Sequence, residues 1–134
     1  MTDAGGIPLA VTITGGNRHD VTQLIPLLDA VPPVRGKPGR PRRKPAALFG
    51  DRGYDFDSYR RLLRRRRIRP VIGRRGTSHG SGLGTVRWVV ERTFAWLHAH
   101  KRLAIRWEYR ADMHEALVKL ACCLICWRCL ERSF

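Results

Sequence analysis

A chain of 134 residues holds one domain or part of a larger one, and a 43% hydrophobic fraction with four Trp excludes a disordered polypeptide. Charge is the outlier: 26 Lys and Arg against 11 Asp and Glu leave a net +15. That excess makes a polyanion the default partner, nucleic acid ahead of a membrane surface or an acidic protein. The first residues lack the basic, apolar and small-residue succession of a signal peptide, and no charge-free apolar run approaches about 18 residues, so neither export nor a membrane span is expected.

In chain order, Thr2-Asp3-Ala4-Gly5-Gly6 has hairpin-turn chemistry and Ile7 to Thr14 alternates as a β-strand does. A turn so early implies a partner strand upstream that these residues do not include. Asp20 is placed to cap a short helix running through Leu28. Residues 33–45 form a basic Pro/Gly loop. Ala46 to Phe49 reads as a buried strand ending in Gly50-Asp51-Arg52-Gly53. Asp55 or Asp57 then caps a helix whose apolar stripe is Phe56, Tyr59, Leu62 and Leu63, and Ile68 to Ile72 completes a β-α-β unit. A Gly-rich loop spans 73–84. The stripe Val86, Val89, Val90, Phe94 and Leu97 predicts a helix from Thr85 to about Lys101, and a hydrophobic helix over 112–130 has Leu117, Leu120, Leu124 and Trp127 among its core positions. The fold class is α/β.

Two of the few acids stand out. Asp51 sits at the C-terminal end of an apolar strand, where open α/β sheets present site residues, between glycines that leave room for a ligand or metal. Glu91 shares a helix face with Arg87 and His98, as either a structural ion pair or a metal ligand beside a phosphate-binding row. Cys122, Cys123, Cys126 and Cys129 crowd one helix, which favours packing as small hydrophobes over zinc binding or a disulfide framework. Without such a framework, the cytoplasm is the expected compartment. Trp88, Trp96, Trp107 and Trp127 read as core or helix-packing anchors, with Trp88 beside Arg87 also able to stack on a terminal base.

Asn17-Arg18-His19-Asp20, then Gly50-Asp51-Arg52-Gly53-Tyr54-Asp55, then Arg87-Trp88-Val89-Val90-Glu91-Arg92-Thr93-Phe94 form an ordered succession that resembles bacterial insertion-sequence DDE transposases. The likeness is to the insertion-sequence four/five-like superfamily, closest to the five group of high-GC actinobacteria, and covers Gly5 to about Leu130. The resemblance implies an incomplete ribonuclease-H-like fold, with strands resembling 3, 4 and 5 plus helices, and strands 1 and 2 missing. It matches Asp51 and Glu91 to the second and third catalytic, metal-binding acids. Arg87 is matched to a contact with DNA phosphate; Arg92 and Lys101 are read as further DNA contacts, and Asn17, His19, Asp20, Tyr54 and His98 as supporting residues. The family pattern has Tyr and Lys where this chain has Gly84 and His98, and Lys101 or Arg102 could supply that charge.

The implied cofactor is Mg²⁺ or Mn²⁺, two ions in the complete enzyme. The implied partners are transposon ends and target DNA, a second copy in a synaptic complex, and an N-terminal half from an upstream frame. The implied place of work is the nucleoid. The first acid of the triad has no match, since Asp3 falls in the turn. The chain alone is therefore expected to be inactive and marginally folded, and Mg²⁺-dependent nicking by it would contradict that. The alternatives are a non-catalytic basic DNA-binding fragment or a decayed remnant. The run containing Arg64, Arg65, Arg66 and Arg67 is read as a non-specific phosphate track over a merely solvated face. Replacing these four with Gln should flatten the salt dependence of DNA binding; an unchanged slope identifies a solvated face.

Overall fold

The computed structural model describes residues 1–35, 38–76 and 84–133. Parts of the basic loop (36 and 37) and of the Gly-rich loop (77–83) lie outside the described residues. The chain divides into two compact units, Gly15–Thr85 and Met1–Thr14 with Val86–Phe134. Among the described residues no helix is long and apolar enough to cross a membrane.

The first unit is built on a β-α-β crossover. A 3-10 turn at Asp20–Gln23 leads into helix α1 (Leu24–Asp29), which buries Leu24 and Leu28 beside Val21. Asp20 does not cap it. His19 holds the cap position, where its extended backbone lets its carbonyl accept from the Thr22 amide and hydroxyl, and Asp20 is the first residue of the turn. Strand β1 (Ala47–Gly50) pairs in parallel with β2 (Arg69–Ile72) in the register Ala47 to Arg69 and Gly50 to Ile72. Between them run a 3-10 turn (Arg52–Tyr54) and helix α2 (Asp57–Arg65). A parallel pair needs such a crossover, and the sequence predicted this unit within about a residue at each end.

Helix α2 corrects the expected stripe. Leu63 is fully buried and Leu62 exposed, while Arg60, outside the expected stripe, is buried. The buried pair is Arg60 and Leu63, in line with the half-buried Phe56 at helical spacings of four and three. Neither Asp55 nor Asp57 caps the helix, because Phe56 occupies the cap position. The helix ends in a Schellman turn: the Ile68 amide donates to the Leu63 carbonyl, the Arg67 amide to that of Arg64, and Arg67 takes a positive φ of 59°. The buried Ile68 side chain anchors that reversal and sends the chain directly into β2.

In the second unit the predicted turn is present. The Asp3 carboxylate accepts from the Gly5 and Ile7 amides, both at 2.8 Å, and Gly6 has a φ of +80°. The strand expected over Ile7 to Thr14 is not formed. A single bridge joins Thr2 and Pro8, and among the described residues no strand supplies the ladder that would make the rest of the segment a strand. Helix α3 spans Gly84–His98 and stops there. Lys101 opens a separate short helix, α4 (Lys101–Ala104), and α5 runs Ala111–Glu131.

Both long helices bury a face rotated from the expected one. On α3 the buried pair is Val89 and Thr93, with Val90 and Phe94 exposed. On α5 it is Ala121 and Ile125, with Leu120, Leu124 and Trp127 exposed. The N-terminal segment approaches these buried faces closely. Thr93 donates to the Gly6 carbonyl at 2.6 Å, and the Cys126 thiol lies 3.7 Å from the Pro8 carbonyl. A Cβ on Gly6 would sit 3.1 Å from the Val89 carbonyl, so this crossing needs glycine in both conformation and space. Burial raises the Cys122 and Cys126 thiols above their ordinary range, as suits packing groups.

Leu63→Ala should destabilise the β-α-β unit by about 2–5 kcal/mol, whereas Leu62→Ala stays within about 1 kcal/mol. Denaturant midpoints of the two variants check this, and equal losses would restore the expected stripe.

Candidate active site

Asp51 follows the last residue of β1 and caps the next 3-10 turn. Its Oδ1 accepts from the Gly53 amide at 2.8 Å and the side chain stays exposed. A Cβ at Gly53 would stand 3.0 Å from that same oxygen, so a side chain there would push the carboxylate aside by a few tenths of an ångström. The space at Gly53 thus accommodates the carboxylate of Asp51 itself. A Cβ on Gly50 would meet Ile72 at 3.4 Å and the Tyr54 side chain.

The structure brings three predicted positions together around Tyr54. Its ring is half-buried, and its phenol is raised above the ordinary range by burial first, then by the charges of Asp20 and Asp51. The two 3-10 turns pack on each other, so Asp20 and Asp51 both face this tyrosine. Asn17 and His19 lie on the exposed approach to the first turn.

A clamp that sequence reasoning missed holds the Asp51 turn to the sheet. Arg60 donates through Nε to Asp55 Oδ1 and through Nη2 to the Ile72 carbonyl, each at 2.8 Å. Asp55 Oδ2 accepts from the Arg75 amide at 2.8 Å. The Arg75 guanidinium reaches back to the Arg52 and Gly53 carbonyls and lies 4.6 Å from the centre of the Phe56 ring. Every residue of the Asp51 turn is thereby tied, directly or through one neighbour, to the end of β2. The signal was available: Arg60 interrupts the Phe56 to Leu63 row, and a charge on a core row needs a buried partner.

In the other unit, Glu91 pairs with Arg87 one turn earlier at 3.2 Å, with the side chains 65% and 80% exposed respectively. A pair that open contributes little to stability, so neither group is held there by packing needs. Arg92 is engaged differently. Its guanidinium lies 4.5 Å from the Trp88 ring and 5.0 Å from the Trp96 ring, and it donates to the Gly5 carbonyl. His98 is exposed at the end of α3 with its ring 6.3 Å from Phe94, and Lys101 is exposed at the start of α4. Of the arginine run, Arg64, Arg65 and Arg67 are exposed, whereas Arg66 makes a two-point ion pair with Asp29. Asp51 belongs to one unit and Glu91 to the other. Among the described residues no three His, Cys, Asp or Glu side chains converge as a metal site.

The family model for the transposase DDE domain matches residues 1–126. The chain belongs to the DDE transposase family. It is 59% identical over 133 residues to a Burkholderia cepacia protein assigned as transposase for insertion sequence element IS402, covering 99% of this chain and 63% of that protein. It is 29% identical over 113 residues to the transposase for insertion sequence element IS1106 of Neisseria meningitidis serogroup B, covering 77% of this chain and 35% of that one. The transposase chain thus spans less than two thirds of the length of either relative. No solved structure matches it.

The clamp carries a pH signature. The Arg75 amide, then Arg60, hold the Asp55 carboxyl below its usual range. A carboxyl depressed in the folded state gives stability that is present above the unfolded value, about 3.9, and lost as pH falls through the lower folded value. Asp55→Asn should therefore have a lower thermal midpoint than the parent chain at neutral pH, with the gap closing below about pH 4. A gap that persists unchanged to pH 2 would remove Asp55 from the clamp.

Proposed function

We propose that this chain is the C-terminal part of a transposase catalytic domain that cuts DNA at transposon ends and joins the freed end to target DNA. The observation that carries this reading is Asp51. Its carboxylate is fixed by one amide at the end of a parallel strand, braced from below by a buried ion pair, and left open to solvent. A carboxylate needed only for folding would be expected inside the clamp, as Asp55 is.

Asp51 and Glu91 are the metal-holding acids in this proposal. Both are hard oxygen donors on exposed faces, which suits Mg²⁺ or Mn²⁺. Two such ions, when bound, activate the attacking oxygen and stabilise the leaving one in an in-line displacement. The chain's own residues do the rest. Gly53 orients the Asp51 carboxylate, the Asp55 clamp keeps that turn in place, and Arg87 holds a DNA phosphate beside Glu91. Arg64, Arg65 and Arg67 present an exposed phosphate track at the C-terminal end of α2. Arg92 serves by fixing α3 against the N-terminal turn.

A ribonuclease-H-like sheet is the fold proposed for the complete domain, with β1 and β2 as its fourth and fifth strands and the Ile7–Thr14 segment as its third. Its ladder partners would convert that segment from an extended stretch into a strand. Cleavage, end recognition, pairing of two copies and any contribution from an upstream half are proposals for the full-length enzyme, acting on the DNA of the nucleoid.

In the full-length transposase, Asp51→Asn and Glu91→Gln should each reduce Mg²⁺-dependent end cleavage by roughly a thousandfold or more. Binding to the same DNA should change by less than about threefold, since neither acid contacts phosphate directly. Cleavage that survives either substitution overturns the assignment of that residue.

A further inference from the structure

The connection between α4 and α5 presents aromatic rings to solvent in a way that folding does not require. Trp107 is 74% exposed and Tyr109 fully so, with Ile105 beside them also exposed. Between the two rings, Glu108 points the opposite way, its side chain only 7% exposed. It lies 2.9 Å from Arg102 and 3.7 Å from His114, charge contacts that are not aligned as hydrogen bonds. Arg106 donates to the Glu108 carbonyl at 3.2 Å. The buried carboxylate therefore acts as a root, and the rings on either side of it are held outward.

The surroundings select the partner. Lys101, Arg102, Arg106 and Arg110 lie on the same short stretch of chain as the two rings, and of its two acids Glu108 pairs with Arg102 and Asp112 with Arg110, which leaves the stretch net basic. Exposed aromatic faces on a basic stretch fit a ligand with π-faces strung on negative charge. A lipid surface would call for an amphipathic helix or a longer apolar strip, and this six-residue connection is neither. Bases inside a duplex are already stacked on one another, so free rings gain contact only from unpaired ones.

We propose that Trp107 and Tyr109 form a stacking platform for unpaired bases of single-stranded DNA, separate from the Asp51 and Glu91 positions. The inference rests on the DNA-directed reading above and adds a strand-state preference to it. It is tested on the full-length transposase without divalent metal, by fluorescence anisotropy with a labelled 12-nucleotide oligo-dT and a duplex of equal length.

Trp107→Ala and Tyr109→Ala should each weaken oligo-dT binding about tenfold, leave duplex binding within about twofold, and recover with Phe at the same position. Circular dichroism verifies folding. Because the Tyr109 side chain is fully exposed, Tyr109→Ala keeps the test decisive should Trp107→Ala fail to fold. Unchanged oligo-dT affinity, or equal losses on both DNAs, overturns the platform. Alanine variants that alter only the sedimenting mass overturn it in favour of a protein contact. A parent chain that binds the duplex while its platform variants behave normally defeats this inference alone, whereas a chain that binds neither DNA defeats the DNA-directed reading as well.

Discussion

The ion pair between Arg60 and Asp55 is the interaction on which the Asp51 end of the molecule depends. It joins a helix row to the turn after β1, and through the Ile72 carbonyl it includes the end of β2. A charge on a buried helix face is costly unless its partner and its remaining donors are satisfied. Here each demand is met by a group that also shapes the site. Asp55 takes a second hydrogen bond from the Arg75 amide, and the Arg75 side chain returns to the carbonyls of Arg52 and Gly53. The turn that carries Asp51 is thus fixed by tertiary contacts on one side and by its own Gly53 amide on the other.

The second unit rests on a different constraint, the close crossing of a tight turn over two helices. Gly6 admits the approach, Thr93 satisfies its carbonyl, and Arg92 satisfies that of Gly5 while lying between two indole rings. Thr93 sits at the crossing with Gly6, where a Leu or Phe would hold the backbones apart. Cys126 lies 3.7 Å from the Pro8 carbonyl, and burial raises the Cys122 and Cys126 thiols, which fits packing.

The β-α-β unit was legible because its signals are local. The apolar run Ala47 to Phe49, the amphipathic helix and the short strand after it each follow from periodicity. The three motifs, in order, pointed to the DDE transposases, and the match over residues 1–126 bears that out. The buried faces of α3 and α5 were less legible. Hydrophobicity put Val89, Val90, Phe94, Leu120 and Trp127 inside, yet of these only Val89 is buried, because the position of the N-terminal segment decides which face is covered. Arg60 was misplaced for a related reason: a count of charges cannot separate a solvated guanidinium from one that completes a core.

The sequence by itself determined the α/β class, the crossover, the turn at Asp3 to Gly6 and the family, since each is written in spacing or in ordered motifs. Only the tertiary structure decided which arginines are engaged and which are open. Arg60, Arg66 and Arg92 find acids, carbonyls or rings within the chain, while Arg64 and Arg65 stand on exposed faces and Arg87 keeps only a solvent-open pair with Glu91. It also decided that Trp107 faces outward and that Ile7 to Thr14 is no strand. The physical reason is common to all of these. A side chain's charge or apolar area is fixed by its covalent structure, but its partner is supplied by a distant segment, and a strand exists only where another backbone completes its hydrogen bonds.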